Sequence, residues 1–198
     1  MRIFALTGGI ATGKSTVCEL IREIIPGVEI FDCDACVKSL FAGDEAVGTA
    51  VVEKFGPEAR LADGTINRGF LRETIYADAA KREVLEGILH PRVREECLAS
   101  RDAAAKQGRV VFVADVPLLF EKGFDFGQER SLLIATTRTT QIQRLKARNG
   151  FDDALVEAML ASQLPLSEKL LRANTVFWNE GPLEILRAQV HRFYLSLS

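Results

Sequence analysis

No apolar stretch in this 198-residue chain is long enough to span a bilayer, so a helical membrane protein is not the reading. Neither sign of charge dominates: 25 Lys and Arg stand against 27 Asp and Glu, a formal net charge of −2. The global electrostatic footprint of a nucleic-acid binder is therefore missing. Internal repeats and low-complexity segments are absent as well. Cysteines number four, Cys18, Cys33, Cys36 and Cys97. Cys33 and Cys36 make a C-x-x-C, but no second closely spaced pair completes a zinc set, and reduced thiols are the simpler reading. Met1-Arg2 leads straight into an apolar segment with no signal-peptide pattern, and a cytoplasmic location is expected. What remains is an ordinary globular composition, 47% hydrophobic and 26% charged, at a length that suits one domain with an insertion.

The most informative segment is Gly8-Gly9-Ile10-Ala11-Thr12-Gly13-Lys14-Ser15, a G-x-x-x-x-G-K-[ST] phosphate-binding loop. Its flanks make it specific. Ile3 to Leu6 is an apolar run suited to a buried parallel strand, and Val17, Leu20, Ile21 and Ile24 carry a helical apolar pattern after it. Glycines at such a strand-to-helix turn let backbone N–H groups from Gly9 to Thr16 close around an anion, and the helix start adds unpaired donors. Lys14 is expected to reach the β- and γ-phosphates of a nucleotide, and the Ser15 hydroxyl to bind Mg²⁺.

Strand and helix alternate through the rest. Val28 to Asp32, Arg109 to Asp115, Ser131 to Ala135 and Thr175 to Trp178 read as further strands, and Leu183 to Leu195 as a closing amphipathic helix. The expected fold is α/β: a five-stranded parallel sheet with helices on both faces, a helical insertion and a helical lid. Ligands in such sheets sit at the carboxyl ends of the strands, so residues just past each strand carry the chemistry. After the second strand come Asp32 and Asp34. Asp34 is the candidate to accept a proton from a substrate hydroxyl or to hold a metal-bound water, with helix capping as its structural alternative. Asp115 ends an apolar strand and can bind Mg²⁺ through water or hold the phosphate loop. Residues 137–148 read as a helix on which Arg144 and Arg148 share a face, and Asn149-Gly150 breaks it. Two helices meeting at a glycine, with arginines beside it, suggest a lid closing over a triphosphate. A kinase acting on another small acceptor would share these parts. A GTPase would need an Asn-Lys-x-Asp segment, which the sequence lacks.

In order along the chain, the phosphate loop, Asp32-x-Asp34, Phe55-Gly56, Asp63-Gly64 with Asn67-Arg68, Leu89-His90-Pro91-Arg92, Asp115-Val116-Pro117-Leu118-Leu119-Phe120-Glu121, Gln141 with Arg144 and Arg148, Gln163 and Asn179 resemble the dephospho-CoA kinase family. The His-Pro-Arg and Pro-Leu-Leu-Phe-Glu pieces discriminate it from other families with such a loop. The resemblance implies ATP-dependent phosphorylation of the ribose 3′-hydroxyl of dephospho-CoA, giving CoA and ADP, with Mg²⁺. It implies Lys14, Asp34 and Arg148 as catalytic residues, and Arg144, Arg148 and Asn179 beside the loop in binding ATP. Asp34, Arg68, His90, Arg92, Asp115, Pro117 and Leu118 fall to the substrate. The nucleotide-binding core is expected at 1–44 and 108–198, with a lid at about 138–165 and a helical acceptor-binding insertion at 45–107. No nucleic acid, membrane or obligate protein partner is implied. Ala11-Thr12 stands where the family more often has Gly-Ser, with no loss expected. Asn174 stands where an acidic residue is usual.

Overall fold

The protein is described here by a computed structural model covering residues 1–197, the side chains of Arg148 and Asn149 excepted. The chain divides into two compact units, Met1–Phe31 with Arg101–Ser198, and Asp32–Ser100.

The first unit is built on strands β1 (Arg2–Gly8), β2 (Val28–Asp32), β3 (Val111–Asp115), β4 (Arg130–Ala135) and β5 (Thr175–Trp178), in the order β2-β3-β1-β4-β5. β1 runs parallel to β3 and β4, and β4 parallel to β5. Residues of β1, β3 and β4 are buried on both faces, which is why these strands read as continuous apolar runs rather than as an alternation. Helices α1 (Lys14–Ile24) and α10 (Leu183–Leu195) cover one face. There Val17, Ile21, Leu186 and Val190 meet Phe4, Leu6, Val113, Leu132 and Ile134. Phe193 packs edge-on against Phe4 and Phe177, at centroid distances of 5.2 and 5.7 Å. α6 (Leu119–Lys122), α7 (Arg138–Asn149), α8 (Asp153–Ala161) and α9 (Leu166–Arg172) follow β3 and β4. β5 ends the sheet. The Trp178 N–H donates to Gln189 Oε1 at 2.8 Å, and Gln189 Nε2 donates to the Trp178 carbonyl at 2.9 Å.

Register matters most for the site. Leu6 lies opposite both Asp115 and Leu132, Gly8 opposite Ile134, and Ala135 opposite Trp178. The phosphate loop, Val116-Pro117, Thr136-Thr137 and Asn179-Glu180 therefore leave the sheet at one edge, its carboxyl edge.

The second unit is helical: α2 (Cys33–Gly43), α3 (Glu45–Phe55), a 3₁₀ turn at Pro57–Ala59, α4 (Arg68–Ala77) and the larger part of α5 (Ala79–Lys106). Leu40, Val47, Val51, Phe55, Leu71, Leu85, Leu89 and Val93 are among its buried side chains. Asp44 and Asn67 cap α3 and α4 by accepting the Val47 and Phe70 N–H groups. Among the described residues no helix is long and apolar enough to cross a membrane.

Candidate active site

The phosphate loop is shaped by backbone conformations that few residues tolerate. Gly13, the N-cap of α1, has φ +95°, and Ala11 has φ +58°. The carbonyls of the loop are tied outward by three side chains, two from α7 and one from just past β5. Gln141 Nε2 donates to the Ile10 carbonyl at 2.7 Å, Arg144 Nη1 to the Ala11 carbonyl at 3.2 Å, and Asn179 Nδ2 to the Thr12 carbonyl at 2.8 Å. In a trans peptide the N–H points opposite to the preceding C=O. Tying back the Ile10 and Thr12 carbonyls therefore aims the Ala11 and Gly13 N–H groups the other way, into the cradle where an anion would sit. The first N–H groups of α1 add to them. The fit is close: a Cβ on Gly13 would lie 2.1 Å from Asn179 Nδ2.

Lys14 Nζ lies 2.5 Å from Oδ1 of Asp115. The second oxygen of Asp115 accepts from Cys18 Sγ at 3.4 Å. Burial first, and then the charge and hydrogen bond of Asp115, push the Cys18 thiol up to about 12, so it stays protonated. Of the two roles expected for Asp115, holding the phosphate loop through its lysine is the contact present. Pro117 follows at the same edge and its carbonyl accepts from Thr7 Oγ1 at 3.2 Å, while Leu118 precedes α6.

A carboxylate that the sequence reading missed organises the other side. Glu180 Oε1 accepts from Thr136 Oγ1 at 2.5 Å and from the Thr137 N–H at 2.7 Å, and Oε2 accepts from Thr140 Oγ1 at 3.0 Å. These bonds, the Thr136 hydroxyl foremost, hold its carboxyl down at about 2. Glu180 thereby fixes the turn that starts α7. An acidic residue directly after Asn179, past a strand's carboxyl end, was the available signal.

A cavity of about 830 Å³ opens beside the loop, lined by Ile10, Ala11, Gly13, Arg144, Phe151 and Asn179 among others. Leu145, Val156 and Leu160 of α7 and α8 form a small core into which Ile10, Ala11, Ile142 and Phe151 pack. Helices α7 and α8 are thus seated on the loop itself. Arg144, expected to face phosphates, has its guanidinium on the carbonyls of Ala11, Thr12 and Asn179. Gly150 closes α7 in the left-handed conformation, and Asp152 rather than Asp153 caps α8. The Arg148 side chain lies outside the described residues.

In the helical unit, Asp32 is the N-cap of α2, accepting the Ala35 N–H at 2.9 Å. The capping alternative weighed for Asp34 thus belongs to Asp32, and Asp34 is an exposed residue within the first turn of α2. Cys33 is buried, and burial pushes the Cys36 thiol up. Arg68 opens α4 and is exposed. Arg92 is engaged by carboxylates: Nη2 lies 2.7 Å from Asp44 Oδ2, and Glu95 and Glu96 lie one turn on. Since Asp44 caps α3, Arg92 pins α5 to the α2–α3 corner. The Arg92 guanidinium, expected to meet acceptor phosphates, lies against these three carboxylates. His90, half-buried, precedes Pro91 inside α5.

A glycine-rich loop between the first strand and first helix of a parallel sheet, with a lysine at its mouth and helices seated over it, defines a P-loop kinase. A family model described as dephospho-CoA kinase matches residues 2–184. A dephospho-CoA kinase of Symbiobacterium thermophilum is 40% identical over 190 residues, 96% of this chain and 79% of that protein. Another, from Geobacillus kaustophilus, is 36% identical over 185 residues, 93% of this chain and 91% of the relative. A Thermus thermophilus protein of known crystal structure superposes with a TM-score of 0.79 at 31% identity, covering 99% of this chain and 97% of its own. The chain belongs to the dephospho-CoA kinase family.

Proposed function

We propose that the chain transfers the γ-phosphoryl group of ATP to the ribose 3′-hydroxyl of dephospho-CoA, giving CoA and ADP, the last step of CoA biosynthesis, in the cytoplasm. The observation that carries this reading is the phosphate cradle: loop carbonyls tied back by Gln141, Arg144 and Asn179, with Lys14 beside it, in a chain of this family. Lys14, held by Asp115 at 2.5 Å, is placed to exchange that carboxylate for phosphate oxygens. Asp34 follows the carboxyl end of β2 and takes the proton of the 3′-hydroxyl as the oxygen bonds to the γ-phosphorus. The bond from that phosphorus to the β–γ bridging oxygen breaks, and ADP leaves with the electron pair. Arg148, one turn beyond Arg144 on α7, is the further cation for the charge on the transferring group. Asn179 and the walls of the 830 Å³ cavity hold the nucleoside. The segment 45–107 receives the acceptor, with Arg68 as a cation for its diphosphate, and the lid spans about 138–165.

The donor set suits magnesium. Ser15 lines the cavity, and Asp115, beside Lys14, offers hard carboxylate oxygens. Among the described residues no cluster of three or more His, Cys, Asp or Glu can cage a metal, as befits an ion carried chiefly by phosphates and water. Ser15 would hold it directly, and Asp115 through water. Bound there, it neutralises charge on the phosphates.

The test is an acceptor screen with ATP and Mg²⁺ against dephospho-CoA, AMP, CMP, shikimate and gluconate, read by ADP release and product mass. Addition of one phosphoryl group to dephospho-CoA alone is expected. Equal phosphorylation of AMP or shikimate refutes the assignment.

A further inference from the structure

A buried ion pair lies apart from the cavity assigned to the nucleotide. Lys169 of α9 is 3% exposed, and its Nζ is 2.7 Å from Oε1 of Glu121 in α6. The same oxygen accepts the Leu164 N–H at 3.2 Å, while Oε2 is buried with no hydrogen-bond partner among the described residues. Such a pair is poor evidence for stability, because apolar side chains of similar volume often serve as well or better. What it fixes is geometry, here the backbone of Leu164 in the turn between α8 and α9.

The residue before Leu164 is Gln163, whose Oε1 accepts the Ile10 N–H at 2.9 Å. Gln141 meanwhile donates to the Ile10 carbonyl at 2.7 Å. Two glutamines from separate elements therefore hold both backbone polar groups of one phosphate-loop residue. The next residue is Ala11, the only described non-glycine at positive φ. A side chain in that region strains the backbone and persists only where its surroundings over-determine it. Gly9 is fitted to the same clamp, since a Cβ there would lie 2.9 Å from Gln141 Nε2 and 3.3 Å from Gln163 Oε1.

We infer that the turn at 162–165 is a strut for phosphoryl transfer. Gln163 is a positioning residue that holds the phosphate loop through Ile10, and the Glu121–Lys169 pair holds Gln163 in place through Leu164. The phosphate loop and the segment after β3 are braced by one turn. The inference rests on the assignment of the loop to ATP.

The test compares Gln163→Ala, Gln163→Glu, the double variant Glu121→Gln/Lys169→Met, and the triple variant with Gln163→Ala added. The double variant removes both charges but leaves an acceptor of reduced strength for Leu164. Gln163→Ala should lower kcat about fivefold, the scale of one hydrogen bond, with dephospho-CoA KM unchanged and faster hydrogen exchange of amides 8–16. Gln163→Glu, which keeps an acceptor, should restore most of kcat. The triple variant should be little worse than Gln163→Ala alone, because both changes loosen the same contact. Wild-type kcat and exchange in Gln163→Ala, with only a lower Tm, would overturn the positioning role. So would a Gln163→Glu variant no better than Gln163→Ala. Additive losses in the triple variant would overturn the link to the ion pair. Hydrogen exchange needs no acceptor, so it still judges the strut if the acceptor screen refutes dephospho-CoA.

Discussion

Gly13→Ala is the sharpest test of how the cradle is built. The new Cβ would stand 2.1 Å from Asn179 Nδ2, far inside contact distance, at a backbone with φ +95°. The left-handed backbone alone costs about 1–2 kcal/mol for a residue with a Cβ. Asn179 must also swing away, forfeiting its bond to the Thr12 carbonyl at 2.8 Å, a further ~1 kcal/mol. The variant should therefore lose about 2–3 kcal/mol, which for a chain of this size is roughly 5–10 °C in Tm. Turnover should fall by more than folding does, about 10²-fold, because the Gly13 N–H leaves the cradle. Calorimetry and initial rates at saturating ATP measure the two separately. Gly13→Ala/Asn179→Ala isolates the cause: removing the obstructing amide should recover part of the Tm loss while turnover stays low. A double variant less stable than Gly13→Ala would refute the collision with Asn179 as the source of the loss.

Four further outcomes are expected. Lys14→Ala should cost on the order of 10²–10³ in turnover per folded molecule, beyond the fall in Tm from leaving Asp115 buried without its cation, and near-normal turnover in the folded variant would remove Lys14 from the chemistry. Asp34→Asn should suppress turnover while ATP binding, measured by titration calorimetry, is retained. A matching loss of Tm and ATP affinity at full turnover would count against the base. Glu180 has a folded-state carboxyl held down at about 2, below the ordinary value of 4.5, so its contribution is full above about pH 4.5 and is lost as pH falls towards 2. In Glu180→Gln that part of the Tm–pH curve should flatten, and an unchanged acid limb would refute the clamp. Arg68→Glu should raise the KM for dephospho-CoA and leave that for ATP alone, whereas Arg92→Ala should act chiefly on Tm, because its carboxylate partners are already in place. Steady-state kinetics on both variants decides between the two roles.

The central strands β1, β3 and β4 were legible because they are buried on both faces, and the outer two because glycine, proline and capping residues set them off. Val28–Asp32 and Thr175–Trp178 have the expected bounds. Boundaries moved where caps compete. Asp32 and Asp34 are both capping types two residues apart, and Asp32 wins, so α2 begins at Cys33 with Asp34 inside its first turn. The phosphate loop was legible as a motif, but not what holds it. Gln163 meets Ile10 across 153 residues and Asn179 meets Thr12 across 167, distances at which no periodicity or spacing speaks. Helical phase showed that Arg144 and Arg148 share a face, yet whether Arg144 meets carbonyls or phosphates depends on the depth at which α7 seats. Glu180 was missed for the same reason: its three threonine partners gather only once β4 and β5 are paired.

The last strand has a consequence for the protein in a crowded solution. An outermost strand exposes a row of amides and carbonyls that a second chain can pair with, the usual first step towards aggregation. On β5, Gln189 presents its own amide to Trp178 as donor and acceptor at once, at 2.9 and 2.8 Å. One side chain from the closing helix thus imitates a neighbouring peptide unit and terminates the ladder at its final residue. Gln189→Leu would reopen that edge, with Trp178 already 40% exposed beside it. The amide therefore occupies the hydrogen-bonding position that a second chain would need at that residue.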